Sequence, residues 1–117
     1  MIYEEIVKKA IQAAKKVDTD AIEEHIAGEF DIEGEGEGAF YIELDKGKIT
    51  VQPYEYYDCD CRIRSGAEVI TDLLAGKLDE TVAYLEGRFR LEGNFDKAVS
   101  FGKALKKTKK RNPSKRK

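Results

Sequence analysis

The sequence predicts an α+β fold, in which a five-stranded, mostly antiparallel, twisted sheet carries helices on one face. Three observations support this prediction. Residues 2–28 repeat apolar side chains at intervals of three and four, which is typical of amphipathic helices. From Glu29 to residue 64, apolar and polar side chains alternate, as they do in half-buried strands. After residue 66 the helical spacing returns, so helices are available to cover the apolar face of the sheet.

Two helices are expected before the sheet begins. The first covers residues 2–17, whose apolar positions are Ile2, Ile6, Val7, Ala10, Ile11, Ala14 and Val17. One of residues 18–20 can cap a second, shorter helix, and Gly28 is placed to end it. The two helices would form a hairpin at the N-terminus.

Four alternating runs then predict an antiparallel meander. The runs are FDIEGEGEG, AFYIELDKG, KITVQPYEY and CDCRIR, and glycines, an Asp-Lys-Gly turn or a proline-containing segment separate them. In the second run, Phe40, Ile42 and Leu44 alternate with polar residues, so one face is apolar and the other faces water. The glycines of residues 33–39 predict a turn or bulge, with the interleaved glutamates on a solvated strand face.

The C-terminal third predicts three helices and one more strand. Residues 67–75 and 79–86 are expected to be short helices, and residues 89–92 the fifth strand. A last helix is expected over residues 96–107, with an apolar stripe of Ala98, Val99, Phe101, Ala104 and Leu105.

Length and charge divide the chain into a body and a tail. At 117 residues we expect a single domain over residues 1–106 and a basic, disordered tail over residues 107–117. Nine of the 21 basic residues lie in residues 103–117, which contain no acidic residue. Residues 1–102 carry 12 basic and 23 acidic side chains, so phosphate-rich surfaces would repel the body and attract the tail.

The composition indicates a cytoplasmic protein. The sequence contains no long apolar span and no signal-peptide pattern. Two glutamines and two asparagines accompany many lysines and glutamates, a bias that is typical of thermophilic prokaryotes.

An ordered set of motifs follows residue 73. GKLD at residues 76–79 is followed by an apolar turn, by the run GRFRLEGN at residues 87–94, and by Phe95 at the start of an amphipathic helix. This order and spacing resemble the sterol carrier protein 2 family of lipid-binding domains, over about residues 30–106. The resemblance implies a stand-alone domain with an apolar tunnel between sheet and helices. It also implies no catalytic residue, and we expect no cofactor and no metal.

The resemblance implies an apolar ligand: a fatty acid, a fatty acyl-CoA or other acyl thioester, a sterol or an isoprenoid. The protein would bind it and transfer it between membranes or to an enzyme. The candidate tunnel-lining residues are Phe40, Ile42, Leu74, Leu78, Val82, Leu85, Phe89, Leu91, Phe95, Val99, Phe101 and Leu105. A transient contact with an anionic membrane surface is expected at Lys106, Lys107, Lys109, Lys110 and Arg111.

Two other functions remain open from the residues alone. The same apolar side chains could interlock as a closed core in a protein–protein interaction or dimerisation module, and the sequence allows a monomer or a homodimer. Nucleic-acid binding through the basic tail is opposed by the acidic body and by the lack of aromatic residues among the lysines, so no nucleic-acid partner is expected.

Cysteine and histidine suggest no reactive site. Cys59 and Cys61 lack the further ligands of a zinc site, and we expect two small buried side chains in a reducing compartment. The sole histidine, His25, is expected on the surface of the second helix. The glycine-rich segment near residue 35 does not fit a dinucleotide-binding loop, because its glutamates would repel a pyrophosphate and no helix follows.

Overall fold

The structure is a computed structural model that describes residues 2–108. Within these residues the chain forms the predicted five-stranded sheet and four of the five predicted helices. The helices are α1 (Tyr3–Lys15), α2 (Ala67–Leu74), α3 (Glu80–Leu85) and α4 (Phe95–Lys106). The strands are β1 (Ile26–Glu33), β2 (Gly38–Asp45), β3 (Lys48–Gln52), β4 (Cys61–Gly66) and β5 (Arg90–Gly93).

The sheet is mixed, with strand order β3-β2-β1-β4-β5. Strands β1, β2 and β3 form the expected antiparallel meander, but β4 pairs in parallel with β1, where Phe30 faces Ile63. The prediction of a four-strand meander was therefore wrong in its last strand. Alternation identifies a strand but not its partner, and here residues 53–60 carry the chain from the β3 edge back across β2 and β1.

The expected second helix is also absent from the described residues. Only a short 3₁₀ turn, Thr19–Ala21, follows α1, and β1 begins at Ile26. Gly28 lies inside that strand and does not end a helix. Two apolar residues four positions apart, Ile22 and Ile26, fit a helix or the start of a strand equally well, so tertiary packing decides between them.

The glycine-rich segment forms a tight turn between β1 and β2. Gly34 and Gly36 have φ values of 79° and 77°, a region that favours glycine, and Glu37 N donates to Gly34 O at 3.0 Å. Glu33 ends β1, whereas Glu35 and Glu37 belong to the turn. The prediction that the glutamates line a solvated strand face was therefore wrong for Glu35 and Glu37, because the turn begins as soon as β1 ends, whereas Glu33 is an exposed residue of the strand.

The helices cover one face of the sheet and bury the core there. The largest fully buried side chains are Ile6, Ile26, Phe40, Ile42, Leu44, Cys61 and Ile70. Residues 53–60 lie on the opposite face, where Tyr56 packs edge-on against Tyr41 with ring centroids 4.8 Å apart. The face that the sequence left to water is therefore partly covered.

The segment that follows α1 meets the C-terminal end of the described chain. Val17 forms an isolated antiparallel bridge with Thr108, and Asp18 N donates to Lys107 O at 2.7 Å. The C-terminal ends of α1 and α4 are thereby held side by side. Within residues 2–108, every helix is too short or too polar to cross a bilayer.

Candidate functional site

A cavity of about 680 Å³ lies between the helix-covered face of the sheet and the helices. Its wall is mainly apolar. Its apolar side chains come from the sheet, from α1 and the residues that follow it, and from the C-terminal half of the chain. The sheet supplies Phe30, Ile42, Ile63 and Leu91, and the α1 segment supplies Ala13, Ala14 and Val17. The C-terminal half supplies Leu73, Leu74, Ala75, Tyr84, Leu85, Phe89, Phe95, Ala98, Val99, Phe101 and Leu105.

Three aromatic rings pack together where the sheet meets α4, and two of them, Phe30 and Phe101, line the cavity. Phe30 faces Phe40 across β1 and β2, and their rings stack with centroids 4.9 Å apart. Phe101 of α4 lies 6.1 Å from Phe30, over the position of Gly28. Strand alternation places Phe30 and Gly28 on the same face, and the missing side chain at Gly28 leaves space for the ring of Phe101.

The opposite wall depends on two capped helices. Asp79 Oδ1 accepts from the N–H groups of Thr81 and Val82 at 2.9 and 3.0 Å and starts α3, and Asn94 Oδ1 accepts from Lys97 N at 2.9 Å and starts α4. Tyr84 of α3 then joins the two helices.

The ring of Tyr84 contacts two other aromatic rings. Its centroid lies 5.4 Å from that of Phe95 and 5.8 Å from that of Phe89. Helix α3 is thus attached to α4 and to the segment before β5 through aromatic contacts at the cavity wall.

The cavity reaches the surface between the end of α3 and the beginning of α4. Leu85, Phe95 and Val99 line it, yet they are 78%, 51% and 47% exposed. Apolar side chains of this size are seldom left in water as a cluster unless something else contacts them. We refer to Leu85, Phe95 and Val99 as the apolar mouth.

The other end of the cavity carries charge. Lys9, Lys16, Lys77 and Lys106 line the wall, together with the carboxylates of Asp72 and Glu80. Lys106 Nζ lies 2.7 Å from Glu80 Oε1 and 3.7 Å from Asp79 Oδ2.

The structure brings nine of the twelve predicted lining residues to the cavity. These are Ile42, Leu74, Leu85, Phe89, Leu91, Phe95, Val99, Phe101 and Leu105. Of the other three, Phe40 is buried behind Phe30, Leu78 packs at the edge of the core, and Val82 is 48% exposed on α3.

Several wall residues were missed by the sequence reasoning. Phe30 and Ile63 alternate on their strands in phase with Ile42, so strand periodicity could have identified them, but only once the pairing of β1 with β4 was known. The lysines of the wall were missed because the sequence reasoning searched for apolar residues only. Their spacing along α1, at residues 9 and 16, places them on one stripe of the helix.

Among the expected membrane-contact residues, Lys106 is engaged with Glu80, and Lys107 is exposed after the end of α4. Lys109, Lys110 and Arg111 lie outside the described residues, as does most of the predicted tail. The membrane contact therefore stays a prediction.

A separate ionic cluster lies on the face of the sheet opposite the cavity. Glu29 is 2% exposed, and its carboxylate accepts from Arg62 Nε at 3.0 Å and from Tyr56 N at 2.8 Å. Burial alone would raise the pKa of Glu29, but hydrogen bonds from Asp31, Tyr56 and Arg62 outweigh burial and lower this pKa. Burial and the neighbouring Glu29 raise the pKa of Asp31 to about 6. The pair therefore holds one negative charge and one proton under mildly acidic conditions.

The cysteines and the histidine lie outside the cavity wall. Cys61 is buried and Cys59 half-buried, and both are free thiols. His25 lies in the bend before β1, where its Nε2 is 2.6 Å from Glu43 Oε2, and so it is not on a helix. In residues 2–108, no three side chains among His, Cys, Asp and Glu are grouped to hold a metal ion.

Solved structures share this fold. Sterol Carrier Protein 2 Like 2 from Aedes aegypti is 18% identical with a TM-score of 0.64, over 86% of this chain and 93% of that one. Sterol Carrier Protein-2 from the same mosquito, in complex with palmitate, is 14% identical with a TM-score of 0.62, over 86% and 97% of the two chains. At these identities the likeness shows the fold alone.

An enzyme also contains the fold. The stereoselective inverting sec-alkylsulfatase Pisa1 from Pseudomonas sp. is 20% identical with a TM-score of 0.69, over 86% of this chain. The present chain spans only 16% of the length of that sulfatase. No individually curated protein matches the sequence.

The sequence itself matches the SCP-2 sterol transfer family over residues 7–106. This match includes most of α1, whereas the motif resemblance begins near residue 30. It also contains every element that forms the cavity, apart from the bridge at Thr108. The chain therefore belongs to the SCP-2 sterol transfer family.

Proposed function

We propose that this protein binds one long apolar molecule in the cavity and performs no chemistry on it. The ligand is a lipid of the fatty acid, fatty acyl thioester, sterol or isoprenoid type. The observation that carries the proposal is the cavity itself, which is about 680 Å³ in volume, mainly apolar and reaches the surface at the apolar mouth. Pockets for small ligands measure roughly 300–1,000 Å³.

Burial of an acyl chain supplies enough free energy for this function. Each buried methylene contributes about 0.8 kcal/mol, so about fifteen chain carbons supply about 12 kcal/mol. After an entropic cost of association of about 4 kcal/mol, about 8 kcal/mol remains, which corresponds to a Kd of about 1 μM. No specific polar contact is needed for the chain. Broad selectivity among chains of similar length follows.

The absence of chemistry is supported by the residues at the wall. Among the described lining residues there is no serine, cysteine or histidine. The two carboxylates at the wall are Asp72 and Glu80, and Lys106 engages the second. A ligand would therefore meet side chains that pack against it and cations that could attract it, but no activated nucleophile.

The first test is native mass spectrometry of the purified protein, followed by organic extraction and displacement of a fluorescent fatty acid. A copurified lipid, or saturable displacement by palmitate, supports the proposal. A protein that is free of ligand and gives no displacement contradicts it, and a dimer in the same experiment would favour the interaction module.

A pair of variants of α4 makes the test specific to the cavity. Ala98→Phe places a ring in the cavity wall, whereas Lys103→Phe adds the same ring to the exposed side of the same helix. We expect Ala98→Phe to lower palmitate affinity at least tenfold and Lys103→Phe to leave it within twofold. Equal affinities would place the ligand elsewhere.

Delivery of the ligand to a membrane is the second part of the proposal. The apolar mouth is exposed, and a basic segment follows α4 in the sequence, with Lys106 and Lys107 first, then Lys109, Lys110 and Arg111. Each cation near an anionic bilayer contributes up to about 1 kcal/mol. Deleting residues 109–117 should slow lipid transfer between anionic vesicles but not between neutral ones. An unchanged rate with anionic vesicles would contradict this role.

A further inference from the structure

The charged end of the cavity contains three lysines that form no ion pair within the described part of the chain. Lys9, Lys16 and Lys77 line the wall, and none of them pairs with a carboxylate of residues 2–108. The fourth lysine of the wall differs, because Lys106 is engaged with Glu80. Among the described wall residues, Asp72 is the only carboxylate besides Glu80.

The fold brings Lys16 and Lys77 to the C-terminal end of α4, and Lys9 lies further along the same cavity wall. Lys106 and Glu80 hold the start of α3 against the end of α4, and Lys77 lies three residues before Glu80. On the other side, Asp18 N donates to Lys107 O and so holds the end of α1, with Lys16, at the same place. Lys9 lies two turns earlier on the same stripe of α1.

Local structure places Lys77 at the wall. Gly76 ends α2 with a φ of 76°, and the N–H of Lys77 donates back to Asp72 O at 2.9 Å. This hydrogen bond closes the last turn of the helix in the manner of a Schellman motif. Lys77 thereby leaves α2 beside the stripe of α1 that carries Lys9 and Lys16, since α1 packs against α2.

The opposite end of the cavity is apolar. Phe95 begins α4 and belongs to the apolar mouth, whereas Lys106 ends the helix. From Phe95 to Lys106 the helix makes eleven steps of about 1.5 Å, which separate the two ends by roughly 17 Å. The cavity thus runs from an apolar end to a cationic end, in a body whose residues 1–102 carry 23 acidic and 12 basic side chains.

We infer that the ligand is a single-chain amphiphile with an anionic head, and that Lys9, Lys16 and Lys77 bind this head while the chain extends toward the apolar mouth. The head is a carboxylate or a phosphate, which the three ammonium groups attract in the same way. This inference rests on the proposed function and narrows its ligand class, because it disfavours neutral sterols and alcohols.

The effect expected from each lysine is modest, since all three are solvent-exposed. An exposed ion pair strengthens binding by at most about fivefold. The three together should give a tenfold or greater preference for an anionic head over a neutral one, and high salt should reduce this preference.

The test compares three ligands that share a sixteen-carbon chain: palmitate, hexadecyl phosphate and hexadecanol. Their affinities are measured by displacement of a neutral fluorescent lipid at pH 8, for the full chain and for the triple variant Lys9→Gln, Lys16→Gln, Lys77→Gln. The matched control replaces three exposed lysines that do not line the cavity, Lys8→Gln, Lys15→Gln and Lys46→Gln.

We expect at least one anionic ligand to bind the wild-type protein tenfold or more tightly than hexadecanol. The triple variant should lose this preference and keep its affinity for hexadecanol, and the control should keep both. The tighter of the two anionic ligands identifies the head.

Two results would overturn the inference, and they separate it from the proposed function. If hexadecanol binds as tightly as both anionic ligands, the lysines select no head, although the cavity still binds a chain. The same conclusion follows if the triple variant retains the preference. If none of the three ligands binds, both the inference and the proposed function are wrong.

Discussion

The ring of Phe101 lies against the backbone of Gly28, so closely that a Cβ on residue 28 would be 2.6 Å from Phe101 Cζ. This contact joins α4 to the centre of the sheet and sets the position of a ring that lines the cavity. It also explains a glycine inside β1, where glycine otherwise weakens a strand.

We expect Gly28→Ala to lower the free energy of unfolding by about 1–3 kcal/mol, because the new methyl group overpacks the site. Urea denaturation measures this change. Gly66→Ala is the control, since its Cβ would lie 4.0 Å from the nearest atom, Glu33 O. Equal stability of the two variants would show that Phe101 moves away without cost.

The cap of α3 controls the wall of the cavity. Asp79 is the acceptor for two N–H groups of a helix that is only six residues long. Asp79→Ala should therefore accelerate amide hydrogen exchange at Thr81 and Val82, whereas Asp79→Asn should keep the cap, because asparagine is an equally good N-cap residue. Equal exchange in both variants would mean that packing alone holds α3.

The carboxyl pair of Glu29 and Asp31 makes stability depend on pH. The pKa of Asp31 is raised to about 6, so the folded protein binds this proton more tightly than the unfolded chain does. Where a folded-state pKa is raised, stability decreases as pH rises from the unfolded value, near 4, through the folded value. Ionisation of Asp31 should thus make the free energy of unfolding lower above about pH 6 than it is below pH 4.

Asp31→Asn tests this assignment, because the amide cannot ionise. The quantity to compare is the free energy of unfolding of the wild-type protein minus that of the variant. This difference should fall as the pH rises from 4 to 6, with a slope that corresponds to at most one proton. Above pH 7 the difference should be constant. A difference that is flat throughout, or that rises with pH, would show that Asp31 is ionised beside Arg64, whose Nε lies 3.2 Å from Asp31 Oδ2.

The two cysteines should differ in reactivity toward a thiol reagent. Burial raises the pKa of Cys61 to about 12, so on the order of 10⁻⁴ of this thiol is ionised at pH 8. Cys59 is half-buried, and burial also raises its pKa. We expect slow labelling at Cys59 and none at Cys61 in the folded protein, with both labelled in denaturant. The variant Cys59→Ala identifies the site, and rapid labelling of that variant would contradict the burial of Cys61.

Much of the fold could be predicted from local patterns. The spacing of Ile6, Ala10 and Ala14 specifies α1, and the alternation of Phe40, Ile42 and Leu44 specifies β2, because each pattern depends on neighbours within a few residues. The family and its fold class followed from the order of such segments. The family match and the solved structures confirm both.

Tertiary structure decided the rest. Whether Ile22 and Ile26 belong to a helix or to β1, and whether β4 pairs with β3 or with β1, depends on contacts between residues far apart in the chain. No local spacing encodes such pairing, because an alternating segment can present its apolar face beside several partners. The prediction failed at these two points for this reason.

The cavity depends on tertiary structure still more. The sequence by itself supplied the pool of apolar residues, from Ile42 to Leu105, but not the volume that they leave unfilled, since that volume is what remains after every side chain has packed. The cationic end of the cavity also arises from tertiary packing. Lys9 and Lys77 are 68 positions apart in the sequence, and only the packing of α1 against α2 places them on one wall.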